Sequence, residues 1–260
     1  MRVLLPLLLF ATSPAMAADP AEFCADRPGL TTGTCTAAAG TFQLESSFID
    51  WSRSRGDGEE DEETVIGSSR LRYGIDDRTD IHLTFDPYIR THDSGPDGSH
   101  TDHGAGDLSV AVKHRFTPDD APLDVAVMCF VKVPTASRPI GNRRWEGGLL
   151  LPVQAELGGP LSLTLTPEID WNADGDGHGH HAAWSLAASL GMAITTNLSA
   201  SIDGLIARER DGGATAHEAV AAMSLAYLAS STVQLDVQAA FGLSHDAADV
   251  ALSSGIAFRF

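Results

Sequence analysis

The chain has 260 residues, a net charge of -18 and a mean hydropathy of -0.03. The acidity argues against nucleic acid, which needs a basic footprint. After the first residues, no run reaches the roughly eighteen apolar residues of a helical membrane span, and the length suits one large all-β domain.

The start reads as a secretory signal. Arg2 supplies the positive region, Val3 to Ala11 the apolar stretch, and Ala15-Met16-Ala17 a cleavage site before Ala18. Residues 1–17 are expected to be removed on export, which leaves the mature chain more acidic by the charge of Arg2. Residues 18–40, rich in Pro, Thr, Gly and Ala, read as a periplasmic segment. Cys24 and Cys35 fall within it and are expected to pair in an oxidising compartment, the alternative being two free thiols. Cys129, inside the apolar run Val125 to Val133, reads as a small hydrophobe.

From Thr41 the chain alternates with period two. Thr41 to Trp51 sets Phe42, Leu44 and Phe48 against Gln43, Glu45 and Ser47, and a polar loop, Ser52 to Glu63, follows. Thr64 to Ile75 sets Leu71, Tyr73 and Ile75 against Ser68, Arg70 and Arg72. Asp80 to Arg90 sets Ile81, Leu83, Phe85 and Ile89 against His82, Thr84, Asp86 and Arg90. Pro87 interrupts that run, as proline does at an edge or bulge. After a long loop, Thr91 to Gly106, the strands continue as Asp107 to Phe116, Leu123 to Val133, Trp145 to Leu157 and Leu161 to Asp170. Ala182 to Ile194, Leu198 to Ala207, Thr215 to Leu228 and Thr232 to Leu243 follow. Asp249 to Phe260 closes the chain on an aromatic residue. Two Ala-rich stretches, Ala182 to Leu190 and Ala219 to Ala226, also have helical propensity, but turn signals arrive at strand spacing.

The count is twelve strands, and connections alternate between long and short. A last strand ending on an aromatic would fit a soluble sandwich or a barrel. The alternation of loop lengths, the even count and strands of about ten residues fit a barrel crossing a bilayer. The expected fold is all-β: a twelve-stranded antiparallel transmembrane β-barrel over residues 41–260, preceded by the signal peptide. Closure would also remove exposed sheet edges.

Three segments carry a resemblance. Asp26-Arg27-Pro28-Gly29 with Ala39-Gly40-Thr41-Phe42-Gln43-Leu44-Glu45, then Leu71-Arg72-Tyr73-Gly74-Ile75-Asp76-Asp77-Arg78, then Gly104-Ala105-Gly106-Asp107-Leu108-Ser109-Val110-Ala111-Val112-Lys113 with Val133-Pro134-Thr135, resemble the outer-membrane transporter family named for a MetA pathway of phenol degradation. The resemblance implies an outer-membrane barrel with a transport role, and no established catalytic residues. An aromatic solute would follow from the family's name alone.

If the polar faces line the lumen, Arg70, Arg72, Arg90, Lys113 and Arg115 form a basic wall. Glu168 and Asp170, with Asp203 and Asp236, form an acidic one. Opposed walls give a transverse field that orients polar solutes, unless the charges pair across the lumen and plug it. Two loops combine histidine with carboxylates: His92, Asp93, His100, Asp102 and His103, and Asp174, Asp176, His178, His180 and His181. The trio His178, His180 and His181 is a candidate for a borderline metal such as Zn²⁺, although such loops are usually only solvated. His114, on an apolar face, invites comparison with lipid-hydrolysing barrels, but no serine partner can be identified. The reading is a porin-like channel for small solutes, with outer-membrane lipid around it, no cofactor, no nucleic-acid partner and no enzymatic activity. The barrel-assembly machinery would engage the strand ending at Phe260. The alternative is a non-conducting barrel whose acidic, histidine-bearing loops bind metal or ligand.

Overall fold

In the computed structural model, residues 23–260 are described, except 57, 119 and 120. The signal peptide expected at 1–17 lies outside them. Every regular element among the described residues is a strand, the two Ala-rich stretches included. On strands, alanine's small side chain suits inward positions where the wall is crowded. Ala183, Ala187, Ala222 and Ala226 are all buried.

Sixteen strand segments make one sheet. They run β1 (Phe42–Gly56), β2 (Glu59–Ile66), β3 (Ser69–Asp76), β4 (Thr79–Phe85), β5 (Tyr88–Gly95), β6 (Gly98–Gly104), β7 (Leu108–Arg115) and β8 (Leu123–Val133). Then come β9 (Glu146–Leu150), β10 (Val153–Gly158), β11 (Leu161–Ala173), β12 (His180–Ala193), β13 (Leu198–Asp211), β14 (Ala214–Ser230), β15 (Val233–Gly242) and β16 (Val250–Arg259). Four pairs are single barrel strands with an interruption. β2 and β3 both pair β1, β4 and β5 continue each other across Asp86-Pro87, β6 and β7 do so across residues 105–107, and β9 and β10 both pair β8 and β11. The barrel strands therefore number twelve, all antiparallel.

The barrel closes through β1 and β16, from Gln43 opposite Arg259 to Arg53 opposite Val250. Phe42 and Phe260 exchange both backbone hydrogen bonds, at 3.0 and 2.9 Å, so the last residue completes the ladder. Their rings stack at 6.0 Å, and Tyr73 lies 4.7 Å from Phe42, forming an aromatic cluster at that rim. Short turns lie at this end, which marks it as periplasmic in an outer-membrane barrel.

The segments read as polar loops at 52–63 and 91–106 are largely strand. β1 and β2 pair as far as Gly56 opposite Glu59, and β5 and β6 as far as Gly95 opposite Gly98. Beyond the bilayer both faces of a hairpin meet water, so the apolar alternation disappears while the backbone ladder continues.

Polarity is inverted relative to a soluble domain. The largest side chains excluded from solvent are Arg72, Lys113, His82, Gln43 and Glu45, whereas Ile202 is 68% and Met223 59% exposed. A water-soluble barrel would bury the second set. Exposing a continuous apolar belt is stable only where the surrounding solvent is hydrocarbon.

Candidate functional site

The lower lumen is filled by the chain's own N-terminal segment. Of residues 18–40, expected in the periplasm, the described part from residue 23 threads into the barrel: from Cys24 to Ala37 its backbone and side chains bond to inward-facing strand residues. Cys24 and Cys35 form a disulfide that ties this stretch into a loop. The segment then leaves along β3, with Gly40 N–H donating to the Gly74 carbonyl at 2.8 Å. A Cβ at Gly74 would overlap the Ala38 carbonyl oxygen, so the close approach needs glycine there.

Alternation puts Gln43 and Glu45 of β1, Arg70 and Arg72 of β3, Asp80 and His82 of β4, and Lys113 of β7 on neighbouring inward positions. Arg72 is fully buried. Its guanidinium donates to Asp80 at 2.8 and 3.1 Å and to Glu45 at 3.1 Å. It also donates to the carbonyls of Cys24 at 2.7 Å and Cys35 at 3.0 Å. Lys113 Nζ reaches both oxygens of Asp26, at 2.9 and 3.0 Å, and the Gly33 carbonyl at 3.0 Å. Arg70 adds an ion pair to Asp26 at 3.3 Å. Asp80 also accepts from the Ala37 N–H at 2.8 Å and contacts His82 at 2.9 Å.

The next residue of the plug faces the opposite way. Arg27 pairs with Asp236 of β15 at 3.0 Å, and Gln234 donates to the Arg27 carbonyl at 2.7 Å. Gly255 makes room for it: a Cβ there would crowd the guanidinium. The dipeptide Asp26-Arg27 thus lies along the field between a basic wall and an acidic one, each charge toward its opposite. Desolvated charges persist only when paired and hydrogen-bonded in this way.

Above the plug a cavity of about 280 Å³ is lined by plug residues Asp26 to Thr32 with Glu45, Ser68, Arg70, Thr84, Gln238 and Ser253. A neighbouring cavity of about 330 Å³ adds Asp50, Ser52 and Glu63. The first is predominantly polar and the second mixed, with Trp51, Val65 and Leu252 beside its carboxylates, and together they form a vestibule toward the extracellular end.

The residues singled out from the sequence distribute as follows. Arg70, Arg72 and Lys113 come together on the plug. Arg115 lies below them, near the periplasmic turn, with a 3.5 Å contact to the Asp77 carbonyl. Glu168 and Asp170 both face the lumen from β11, two positions apart on the same face. Asp203 holds Ser201 and Ser224. Arg90 does not line the lumen. It stands opposite Thr64, whose other neighbour Trp51 faces outward, so Arg90 is on the outer face with Tyr88. The irregularity at Asp86-Pro87 shifts the alternation by one residue, and in a strand that moves every following side chain to the other face. His114 faces outward and bonds Thr79 Oγ1 at 2.9 Å; its hydroxyl partner is a threonine, itself held by Asp76. Cys129 is a free thiol on the outer face, opposite Val112.

The histidine loop is also sorted. His178 is 90% exposed and contacts only its own turn. His180 stacks on Trp171 and bonds the Trp145 carbonyl. His181 turns toward two carboxylates, Asp174 at the start of its turn at 2.8 Å and Glu209 of β13 at 2.6 Å.

The family described as "Putative MetA-pathway of phenol degradation" matches residues 25–260, which takes in the Asp26-Arg27 plug as well as the barrel. The chain belongs to this family. Among solved structures, an outer membrane channel from Pseudomonas putida F1 superposes with a TM-score of 0.69 at 15% identity, covering 87% of this chain and 98% of that one. The translocator domain of the autotransporter NalP from Neisseria meningitidis gives 0.54 at 13% identity over 86% and 90%. The NanC porin gives 0.53 at 10% identity over 84% and 98%. At these identities the likeness is one of fold: a barrel of the outer-membrane type. No curated protein sequence matches the chain.

Proposed function

We propose that this protein is an outer-membrane channel for small solutes whose lumen is closed by its own disulfide-tied N-terminal plug and opens when that plug shifts. The observation that carries this reading is the Asp26-Arg27 dipeptide held between two oppositely charged walls. It fills the lumen with reversible ion pairs and leaves a vestibule above it. A purely structural barrel core would need neither the charges nor the cavity. The similar folds reported above, an outer membrane channel and a porin, point the same way.

The vestibule has the size for a small solute. An apolar cavity of about 150 Å³ already takes benzene. The polar part of its lining favours a solute with a hydrogen-bonding group, such as the hydroxyl of a phenol, which agrees with the family description.

Removal of residues 18–37 from the mature chain is expected to raise single-channel conductance in a planar bilayer several-fold, because it leaves the barrel wall intact and empties the lumen. A heat-modifiable, folded deletion variant that never conducts would sink the proposal. On the wall itself Arg72 is neutralised by Glu45 and Asp80 whether or not the plug is seated, while Glu168 and Asp170 face the lumen without a cationic partner among their contacts. The pore is therefore expected to prefer cations. Glu168→Gln with Asp170→Asn should reduce that preference, read as the reversal potential in a salt gradient; an unchanged potential would remove this pair from the ion path.

A further inference from the structure

We propose that the extracellular rim carries a divalent-metal site built from Asp174, His181 and Asp211, with Glu209 holding the histidine from behind. The site differs from the sequence-level trio of histidines and does not depend on whether the lumen conducts.

Three elements converge on it. Asp174 opens the turn between β11 and β12. His181 is the second residue of β12, on its inward face, and Asp211 ends β13 on the same face. His181 Nδ1 lies 2.8 Å from Asp174 Oδ1 and 3.8 Å from Asp211 Oδ1, and one ligand atom from each residue fits within 4.8 Å of the others. Donors about 2.0–2.2 Å from a common centre are separated by about this much. The three residues are partly buried, with His181 13% exposed.

His181 Nδ1 and Asp174 Oδ1 share a hydrogen bond that a metal would replace, and the remaining atoms of the group are held by neighbours. His181 Nε2 faces Glu209 Oε1 at 2.6 Å, and Asn172 Nδ2 donates to that same oxygen at 3.0 Å. This is the carboxylate-histidine arrangement that orients a ligating ring, with Nδ1 the nitrogen a metal would take by displacing its hydrogen bond to Asp174. Asp211 Oδ2 accepts from the Gly175 N–H at 2.7 Å, which turns Oδ1 toward His181. Gly179, at φ +94°, lets the turn fold back: a Cβ there would crowd the Asp174 Oδ2 atom.

Charge supplies the driving force. Asp174, Glu209 and Asp211 surround one imidazole, so even a protonated ring leaves the group negative. The cation recorded on this turn, Arg144, is spent on the backbone carbonyls of Gly177 at 2.7 Å and Gly179 at 3.2 Å. One imidazole with two carboxylates suits a borderline metal of the Zn²⁺ class, with water completing the shell, better than Ca²⁺, which takes oxygens alone.

Calorimetric titration of the refolded mature protein in detergent with ZnCl₂ tests this. One site of micromolar affinity is expected. His181→Ala and Asp211→Asn should each weaken it by at least about tenfold, and the double variant His178→Ala/His180→Ala should leave it unchanged. Heat-modifiable migration verifies that each variant is folded, and Asp211→Asn carries the test if His181→Ala does not fold. Absence of heat with the unaltered protein overturns the proposal. So does loss of binding in the His178/His180 double variant with binding retained in Asp211→Asn, which would place the metal on the exposed turn.

Discussion

Replacing Arg72 by alanine is expected to lower the unfolding free energy of the barrel by about 3–5 kcal/mol, the usual consequence of removing one partner of a buried ion pair. Arg72 is the group on which the plug and the wall meet. It bonds Asp80 and Glu45 on the wall and two backbone carbonyls of the disulfide loop, with no solvent exposure. Without it, Asp80 and Glu45 keep their burial and lose their main cation. Arg72→Lys retains the charge but not the planar fork that reaches both carboxylates and both carbonyls at once, so an intermediate loss is expected. The measurement is denaturant unfolding in detergent, followed by tryptophan fluorescence. A second readout separates stability from plugging: Arg72→Ala should also raise open-channel conductance, because the loop loses several of its anchors together. A variant within about 0.5 kcal/mol of the parent, a typical surface effect, would mean that the basic wall does not hold the plug.

Ile202→Arg is expected to destabilise the barrel by about 2–4 kcal/mol in a bilayer, the range for arginine at mid-membrane on the lipid face of a barrel. Ile202 is 68% exposed and lies near the centre of the portion of β13 that would span the bilayer. The same substitution on a water-facing strand would cost about 0.5 kcal/mol or less. Thr215→Arg, also exposed but at the extracellular start of β14, provides the control and should be close to neutral. Equal effects at the two positions would contradict an apolar belt facing lipid. The experiment reads the environment of the outer face independently of whether the lumen conducts, so it stands apart from the plug and metal experiments.

Much of the architecture is written locally. Period-two alternation in Phe42 to Glu45, in Leu71 to Ile75 and in Val250 to Phe258 requires strands with one apolar and one polar face. Alternating connection lengths require them to be consecutive and antiparallel. The terminal aromatic then closes the ladder against Phe42, whose own alternation begins at the same level. These properties depend on near neighbours in the chain and on the pleat, so composition and spacing suffice to read them. The inward position of Arg70, Arg72, Lys113, Glu168 and Asp170 follows from the same rule.

Other features depend on what the folded wall brings together. The plug has no periodicity of its own. Asp26 and Arg27 acquire meaning only when β3, β7 and β15, far apart in sequence, set Arg72, Lys113 and Asp236 around one point. Arg90 leaves the lumen because a single irregularity at Asp86-Pro87 shifts the alternation, and a one-residue shift cannot be counted from composition. The extracellular hairpins lose their alternation because water meets both faces, and backbone pairing alone keeps them as strands. Among the loop histidines, adjacency in sequence proved less decisive than facing: His181 points inward toward Asp211 and Glu209, while His180 points outward onto Trp171. Local alternation decides which face a residue takes only while the register holds, and the closed barrel decides which distant charges then meet across the lumen.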